Sequence, residues 1–110
     1  MNDRITETLA MLRQESNGNY SVQIMALREA SKDSLEEFLQ NLSPDDLGQT
    51  FVYRTEVVDA PGFGVLYGTY RTLEETEAAI EDAAQRLRVN RPYLRTLNGL
   101  RRETGIEVSG

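Results

Sequence analysis

The stretch NYSVQIMAL, from Asn19 to Leu27, has the β-branched and apolar composition of a strand, and the rest of the chain is arranged around it. Successive side chains of a strand point to opposite faces of the sheet. Strict alternation therefore predicts Val22 and Ile24 on one face, with Gln23 and Met25 on the other. An amide in the middle of an apolar strand must find hydrogen-bond partners or face a wet surface.

Further strands and helices are predicted on both sides of this first strand. Helical periodicity and capping signals predict four helices, within 1–18, over 32–42, over 73–87 and over a short stretch at 98–103. β-Branched and aromatic runs predict three further strands, at 50–58, 63–70 and 92–97. Thr72 and Glu75 have capping-box spacing at the start of the third of these helices. The segment Asp59–Gly62 (DAPG) is predicted to be the turn of a hairpin, because Pro and Gly occupy turn positions.

This order of elements predicts an α+β fold with one domain. The two central helices each carry one apolar stripe, so both are expected to cover the same face of a four-stranded antiparallel sheet, in a two-layer sandwich of ferredoxin-like β-α-β-β-α-β order with short terminal helices. The expected organisation is an N-terminal helix and linker at 1–18, the domain at 19–103 and a flexible tail at 104–110. The other face of the sheet is predicted to be open unless a terminal helix covers it.

Composition excludes several classes of function. The chain of 110 residues has no Cys and no His, so thiolate, imidazole and zinc–sulfur chemistry are impossible. Adjacent carboxylates such as Asp45–Asp46 are typical of solvated turns rather than of catalytic dyads. The net charge of −6 argues against nucleic acid as a partner. We therefore expect a noncatalytic domain without cofactor or metal.

The sheet face without central helices is the candidate binding surface. Alternation places Gln23 and Met25 on it, together with Tyr93 and Arg95 of the last strand and Arg54 of the second. Planar hydrogen-bonding groups beside an aromatic ring suit a carbohydrate. The structural alternative is that Gln23 pairs across the sheet and Tyr93 packs at its edge.

Three segments resemble one protein family. The segments YSVQIMAL, VLYGTYRTLEETEAAIEDA and NRPYLRTLNGLR, read in order over residues 19–102, resemble the SPOR (sporulation-related repeat) domain, of the type at the C-terminus of bacterial cell-division and secretion-associated inner-membrane proteins. The resemblance implies the fold predicted above. It also implies binding of peptidoglycan glycan strands stripped of their stem peptides, on the open face of the sheet.

The resemblance also implies residue roles. The strand-one Gln corresponds to Gln23, the position three residues on to Ala26, and the strand-four aromatic to Tyr93 in place of Trp. The third-strand aromatic position falls on Gly62 or on Phe63, depending on a shift of one residue. The predicted glycan-binding residues are Gln23, Met25, Arg54, Phe63, Tyr67, Tyr93 and Arg95.

The function expected from this resemblance is targeting of a cell-envelope protein to the division septum. The domain would lie on the periplasmic side of the inner membrane, as a monomer, with its membrane anchor outside this sequence. Peptidoglycan glycan strands, and cell-division proteins beside them, are the expected partners. The alternative is a protein–protein interaction module that docks a division or secretion partner through the open sheet face.

Overall fold

The computed structural model describes residues 2–14 and 18–106. The elements in chain order are α1 (Asn2–Arg13), β1 (Tyr20–Arg28), a 3-10 turn (Glu29–Ser31), α2 (Lys32–Gln40), α3 (Pro44–Gly48), β2 (Thr50–Val57), β3 (Ala60–Tyr70), α4 (Leu73–Arg86), β4 (Tyr93–Thr96) and α5 (Leu97–Thr104). Residues 15–17 of the predicted linker and 107–110 of the predicted tail lie outside the described residues. None of the helices in the described part of the chain combines the length and the apolar character needed to cross a bilayer.

The four strands form one antiparallel sheet in the order β2-β3-β1-β4. Helices α2 and α4 pack on one face of this sheet, where Leu35, Leu39 and Ala83 join a buried cluster with Val22 and Val65. The predicted α+β class and the antiparallel four-stranded sheet are therefore confirmed. We call this side of the sheet the α2/α4 face.

Helix α4 begins where its sequence predicts. The Thr72 side chain accepts a hydrogen bond from the Glu75 backbone N–H at 3.1 Å, and the Glu75 carboxylate accepts one from the Arg71 N–H at 3.2 Å. These bonds satisfy N–H groups that have no partner within the helix. Thr76 and Ala83 on the inner face of α4 are fully buried, as the spacing of its apolar stripe requires.

The opposite side of the sheet, which we call the second face, carries Gln23, Ala26, Tyr53, Gly64, Leu66 and Tyr93. Part of it is covered by the terminal helices, because Leu12 of α1 and Leu97 and Leu100 of α5 form a second buried cluster with Tyr53 and Leu66. The Arg101 guanidinium of α5 links α5 to the C-terminal end of α1, because it donates hydrogen bonds to the carbonyls of Leu12 at 2.6 Å and Gln14 at 3.1 Å. The second face is therefore only partly open.

Helix α1 also contacts the α2/α4 face, because Ile5 packs against the cluster on that side. It contacts the edge strand β2 and places Met11 and Leu12 in the cluster on the second face. Helix α1 therefore contributes side chains to both buried clusters.

Two local predictions are wrong. The hairpin turn between β2 and β3 lies at Val58 and Asp59, and the predicted turn residues Ala60, Pro61 and Gly62 belong to β3. Both Val58 (φ 51°) and Asp59 (φ 60°) have positive φ, as in the two-residue turns that match the twist of paired strands. The carboxylates Asp45 and Asp46, predicted to lie in a turn, instead belong to the short helix α3, which Ser43 caps by accepting from the Asp46 N–H at 3.2 Å.

We predict that Val58→Asn stabilises the protein. Val58 is 76% exposed, so its side chain gains little from packing, while a β-branched residue at positive φ is strained. Asn tolerates this conformation, and the free energy of unfolding should rise by about 1 kcal/mol. Urea denaturation measures the change, with Val57→Asn, at a neighbouring residue of β2, as the control. An unchanged or lower stability of Val58→Asn would contradict the strain.

Candidate functional site

A β-bulge in β1 decides which side chains reach the second face. Gln23 pairs with Leu66 and Met25 pairs with Val65, so Ile24 is an extra residue in β1. One extra residue reverses the alternation beyond it. Ala26 therefore shares the second face with Gln23. Met25 packs with the α2/α4 cluster, so the prediction that placed Met25 on the second face is wrong.

The Gln23 amide is buried and bonded. Gln23 is 2% exposed, so the prediction that it lies on an open surface is wrong. Its Oε1 accepts hydrogen bonds from the Tyr53 hydroxyl and from Nη1 of Arg95, both at 2.8 Å. Its Nε2 donates to the Met25 carbonyl at 3.1 Å. The structural alternative, in which Gln23 pairs across the sheet, describes these contacts.

Arg95 connects this amide to the surface. Its Nη1 also donates to the Tyr53 hydroxyl at 3.0 Å, and its Nη2 forms an ion pair with the Glu103 carboxylate of α5. Glu103 in turn accepts a hydrogen bond from the Thr55 hydroxyl of β2. The side chains of Arg95 and Glu103 are 20% and 32% exposed, so their heads form a polar wall where α5 crosses the second face.

The electrostatics of this group follow from its burial and its bonds. Burial raises the pKa of the Tyr53 hydroxyl, which keeps it a neutral donor to Gln23. Burial also acts to raise the pKa of Glu103, but the hydrogen bonds from Arg95 and Thr55 outweigh it and leave that pKa below its ordinary value. Glu103 therefore stays a carboxylate that holds the Arg95 guanidinium in place.

Tyr93 is the exposed aromatic residue of the second face. It opens β4 directly opposite Gln23 and is 51% exposed. Among the described residues the other large exposed apolar side chains, Val58 and Leu73, lie in the hairpin turn and at the start of α4. Tyr93 and Arg95, which sequence alternation placed on one face, thus lie together beside Gln23.

The floor beside Tyr93 is built from small residues. Ala26 of β1 pairs with Gly64 of β3, which pairs with Tyr53 of β2. A Cβ at Gly64 would overlap the Tyr53 ring, so this glycine lets the ring lie flat against the sheet. Tyr53, Thr55 and Glu103 were not predicted as site residues. The glycine opposite Tyr53 was the one available signal, because a glycine inside a strand marks a close approach.

Three other predicted site residues lie elsewhere. Phe63 and Tyr67 of β3 are buried in the α2/α4 cluster, so neither ring reaches the second face. Arg54 lies on the side of Phe63, with its guanidinium carbon 5.2 Å from the centre of that ring and a 3.9 Å ion pair to Glu29. The predictions that placed these residues at the open face are wrong, because Val52, Arg54 and Glu56 alternate toward the α2/α4 side.

Tyr67 belongs to a separate polar cluster. Its hydroxyl donates to Oδ1 of Asp46 at 2.7 Å and accepts from Nη2 of Arg86 at 2.6 Å, and Arg86 also forms ion pairs with Asp46 and Asp82. The hydrogen bonds from Arg86 and then from Tyr67 hold the pKa of Asp46 below its ordinary value. This cluster joins α3, β3 and α4 and is accounted for by their packing.

Comparison of the chain with family models, with curated protein sequences and with solved structures gave no match.

We predict that Gln23→Leu destabilises the protein by about 2 kcal/mol, because a buried hydroxyl donor of Tyr53 loses its acceptor. Gln85→Leu, at an exposed position of α4, is the matched control and should change the free energy of unfolding by less than about 0.5 kcal/mol. Chemical denaturation of both variants measures the difference. Equal effects of the two substitutions would show that the Gln23 amide is not held as described.

We predict a pH-dependent contribution from Asp46. Its pKa in the folded protein is below its ordinary value of 3.8, so the carboxylate stabilises the fold above that pH and the contribution is lost as the pH falls through the folded value. Thermal unfolding between about pH 5 and about pH 2 should therefore show a smaller loss of Tm for Asp46→Asn than for the wild type. The exposed Asp45 provides the control Asp45→Asn, which should follow the wild type.

Proposed function

We propose that this domain is a noncatalytic module that binds the glycan strands of peptidoglycan on its second face. The observation that carries the proposal is the half-exposed Tyr93 ring beside the Arg95 guanidinium, on a floor of small residues. An exposed aromatic ring offers an apolar face against which a sugar ring can pack. The guanidinium and carboxylate of the adjacent wall provide donors and acceptors for sugar hydroxyl groups.

Gln23 has an indirect role in this proposal. The amide oxygen of this buried residue accepts its two hydrogen bonds from the Tyr53 hydroxyl and from Arg95. It therefore acts as a positioning residue that fixes the Arg95 guanidinium next to Tyr93. The glycan contacts Tyr93 and the polar groups of Arg95 and Glu103, which reach solvent.

The family resemblance supports the choice of ligand. It implies a binding face shared by Gln23 and the residue three positions on, which simple alternation would place on opposite faces. The bulge at Ile24 puts Gln23 and Ala26 on the same face. The chain departs from the family pattern in having Ala26 without a hydroxyl, Tyr93 for Trp, and Phe63 buried, so we expect a weaker affinity than a site with two exposed rings.

Recruitment of a larger protein of the cell envelope to the division septum is the biological role that this binding would serve. The domain would then work on the periplasmic side of the inner membrane, where peptidoglycan is accessible. Its parent protein would carry the anchor and any catalytic activity. The domain would need only reversible affinity for the glycan.

Retention on sacculi tests the proposal. Sacculi treated with an amidase, which removes stem peptides, should retain the wild-type domain, and Tyr93→Ala should weaken binding by about 1.4 kcal/mol, or about tenfold in Kd. Leu73→Ala is the matched control, since Leu73 is 52% exposed and begins α4, which packs on the opposite face of the sheet. Both variants remove an exposed side chain and should stay folded.

Equal retention of wild type, Tyr93→Ala and Leu73→Ala would overturn the proposed site. Failure of the wild-type domain to bind either treated or untreated sacculi would overturn the proposed ligand. Gln23→Lys is unsuitable as the decisive variant, because an ammonium group buried beside Arg95 would destabilise the fold itself.

A further inference from the structure

Strand β1 has an unpaired edge along its second half. Strand β4 pairs only with the first half of β1, from Tyr20 to Gln23. Beyond Gln23, residues 24–28 have no partner strand on that side within residues 2–14 and 18–106. An unpaired strand edge presents backbone N–H and C=O groups that can pair with another chain. The β1 edge therefore offers free backbone groups for docking, and it begins where β4 ends, next to the Gln23–Tyr93 pair.

A groove with a mixed polar and apolar lining runs beside this edge. It has a volume of about 420 Å³ and lies between β1, α2 and the segment that connects α4 to β4. Its lining comprises Ile24, Met25, Ala26, Phe38, Leu87, Arg88, Val89 and Asn90. A groove of this kind beside a free strand edge is the arrangement in which an added strand can insert alternate side chains while its backbone pairs with the edge.

Two arginines give the groove a charge preference. Arg88 lines it and Arg91 follows three residues later, and both are exposed. Within the described residues neither side chain takes part in an ion pair or a hydrogen bond, although the chain has 18 acidic and 12 basic residues. Both also have positive φ (55° and 56°), a backbone conformation that is uncommon for residues other than glycine.

We propose that the β1 edge binds an extended, acidic peptide segment of a partner protein by strand addition. The peptide backbone pairs with residues 24–28, an apolar side chain enters the groove, and a carboxylate meets Arg88 or Arg91. The charges identify the occupant, because two unpaired arginines at an otherwise acidic domain select for acidic side chains. This inference does not depend on the proposed glycan binding.

A second copy of the domain fits this edge less well. Each copy has a net charge of −6 and would bring the same pair of arginines to a two-fold contact. Like charges would then face each other where the peptide offers opposite ones. Self-association through β1 is therefore treated as an outcome that the experiment must detect.

The experiment uses the folded domain and a capped hexapeptide of alternating valine and glutamate as the probe. Adding the peptide should shift the amide NMR signals of residues 24–28 and protect from exchange those of their N–H groups that point to the free edge. Two further peptides carry N-methyl groups on the valine amides or on the glutamate amides. Because these amides point to opposite edges of an extended strand, one methylated peptide should keep its affinity and the other should lose it.

Charge variants complete the test. The double variant Arg88→Glu with Arg91→Glu should bind the peptide about tenfold more weakly, as measured by Kd. Arg71→Glu, which reverses an exposed arginine before α4, should change its Kd by less than about twofold and serves as the control. A hexapeptide of alternating valine and lysine should not bind.

Three results would overturn the inference. Equal loss of affinity for both methylated peptides would exclude strand addition. Equal binding by the double variant and by Arg71→Glu would exclude recognition of acidic side chains. Concentration-dependent shifts at residues 24–28 without any peptide would assign the edge to self-association instead.

Discussion

The extra residue at Ile24 is the constraint on which the rest of the second face depends. Because Gln23 pairs with Leu66 and Met25 pairs with Val65, the alternation of side chains between the two faces is reversed at this point in β1. The first half of β1 directs an amide toward the second face, and the second half directs a small side chain there. Without the bulge, Ala26 would point toward α2 and α4, and Met25 would stand beside the Gln23 amide. The shallow floor next to Tyr93 would then be filled.

The sequence was sufficient for the layering of the molecule, because helix periodicity survives local irregularities. The apolar stripes of α2 and α4 place Leu35, Leu39 and Ala83 against the sheet, and a stripe remains on one side even when a helix ends two residues early, as α2 does at Gln40. The Thr72 cap was equally predictable, since a hydroxyl followed three residues later by a glutamate defines the first turn locally. These features depend on nearby residues alone.

The facing of individual strand residues could not be predicted in the same way. In strands a single inserted residue inverts every later side chain, and no residue type marks the insertion at Ile24. A second irregularity occurs between Tyr20 and Val22, opposite Gly68 with φ 72°. The burial of Gln23 depends on α5 and on Arg95, more than 70 residues away in the chain. Long-range contacts of this kind leave no local pattern in the sequence.

The Arg101 hydrogen bonds to the end of α1 have a consequence for how the chain is made. They join residues that are 89 and 87 positions apart, and α5 is the last helix in the described part of the chain. During synthesis α1 emerges well before α5, and it remains without this partner until almost the whole described domain has been made. The apolar stripe of α1 is sparse, and a short isolated helix is marginally stable in water, so α1 is not expected to be stable before α5 is present. The second face is therefore completed only after α5 has been synthesised, when α5 and the end of α1 come together.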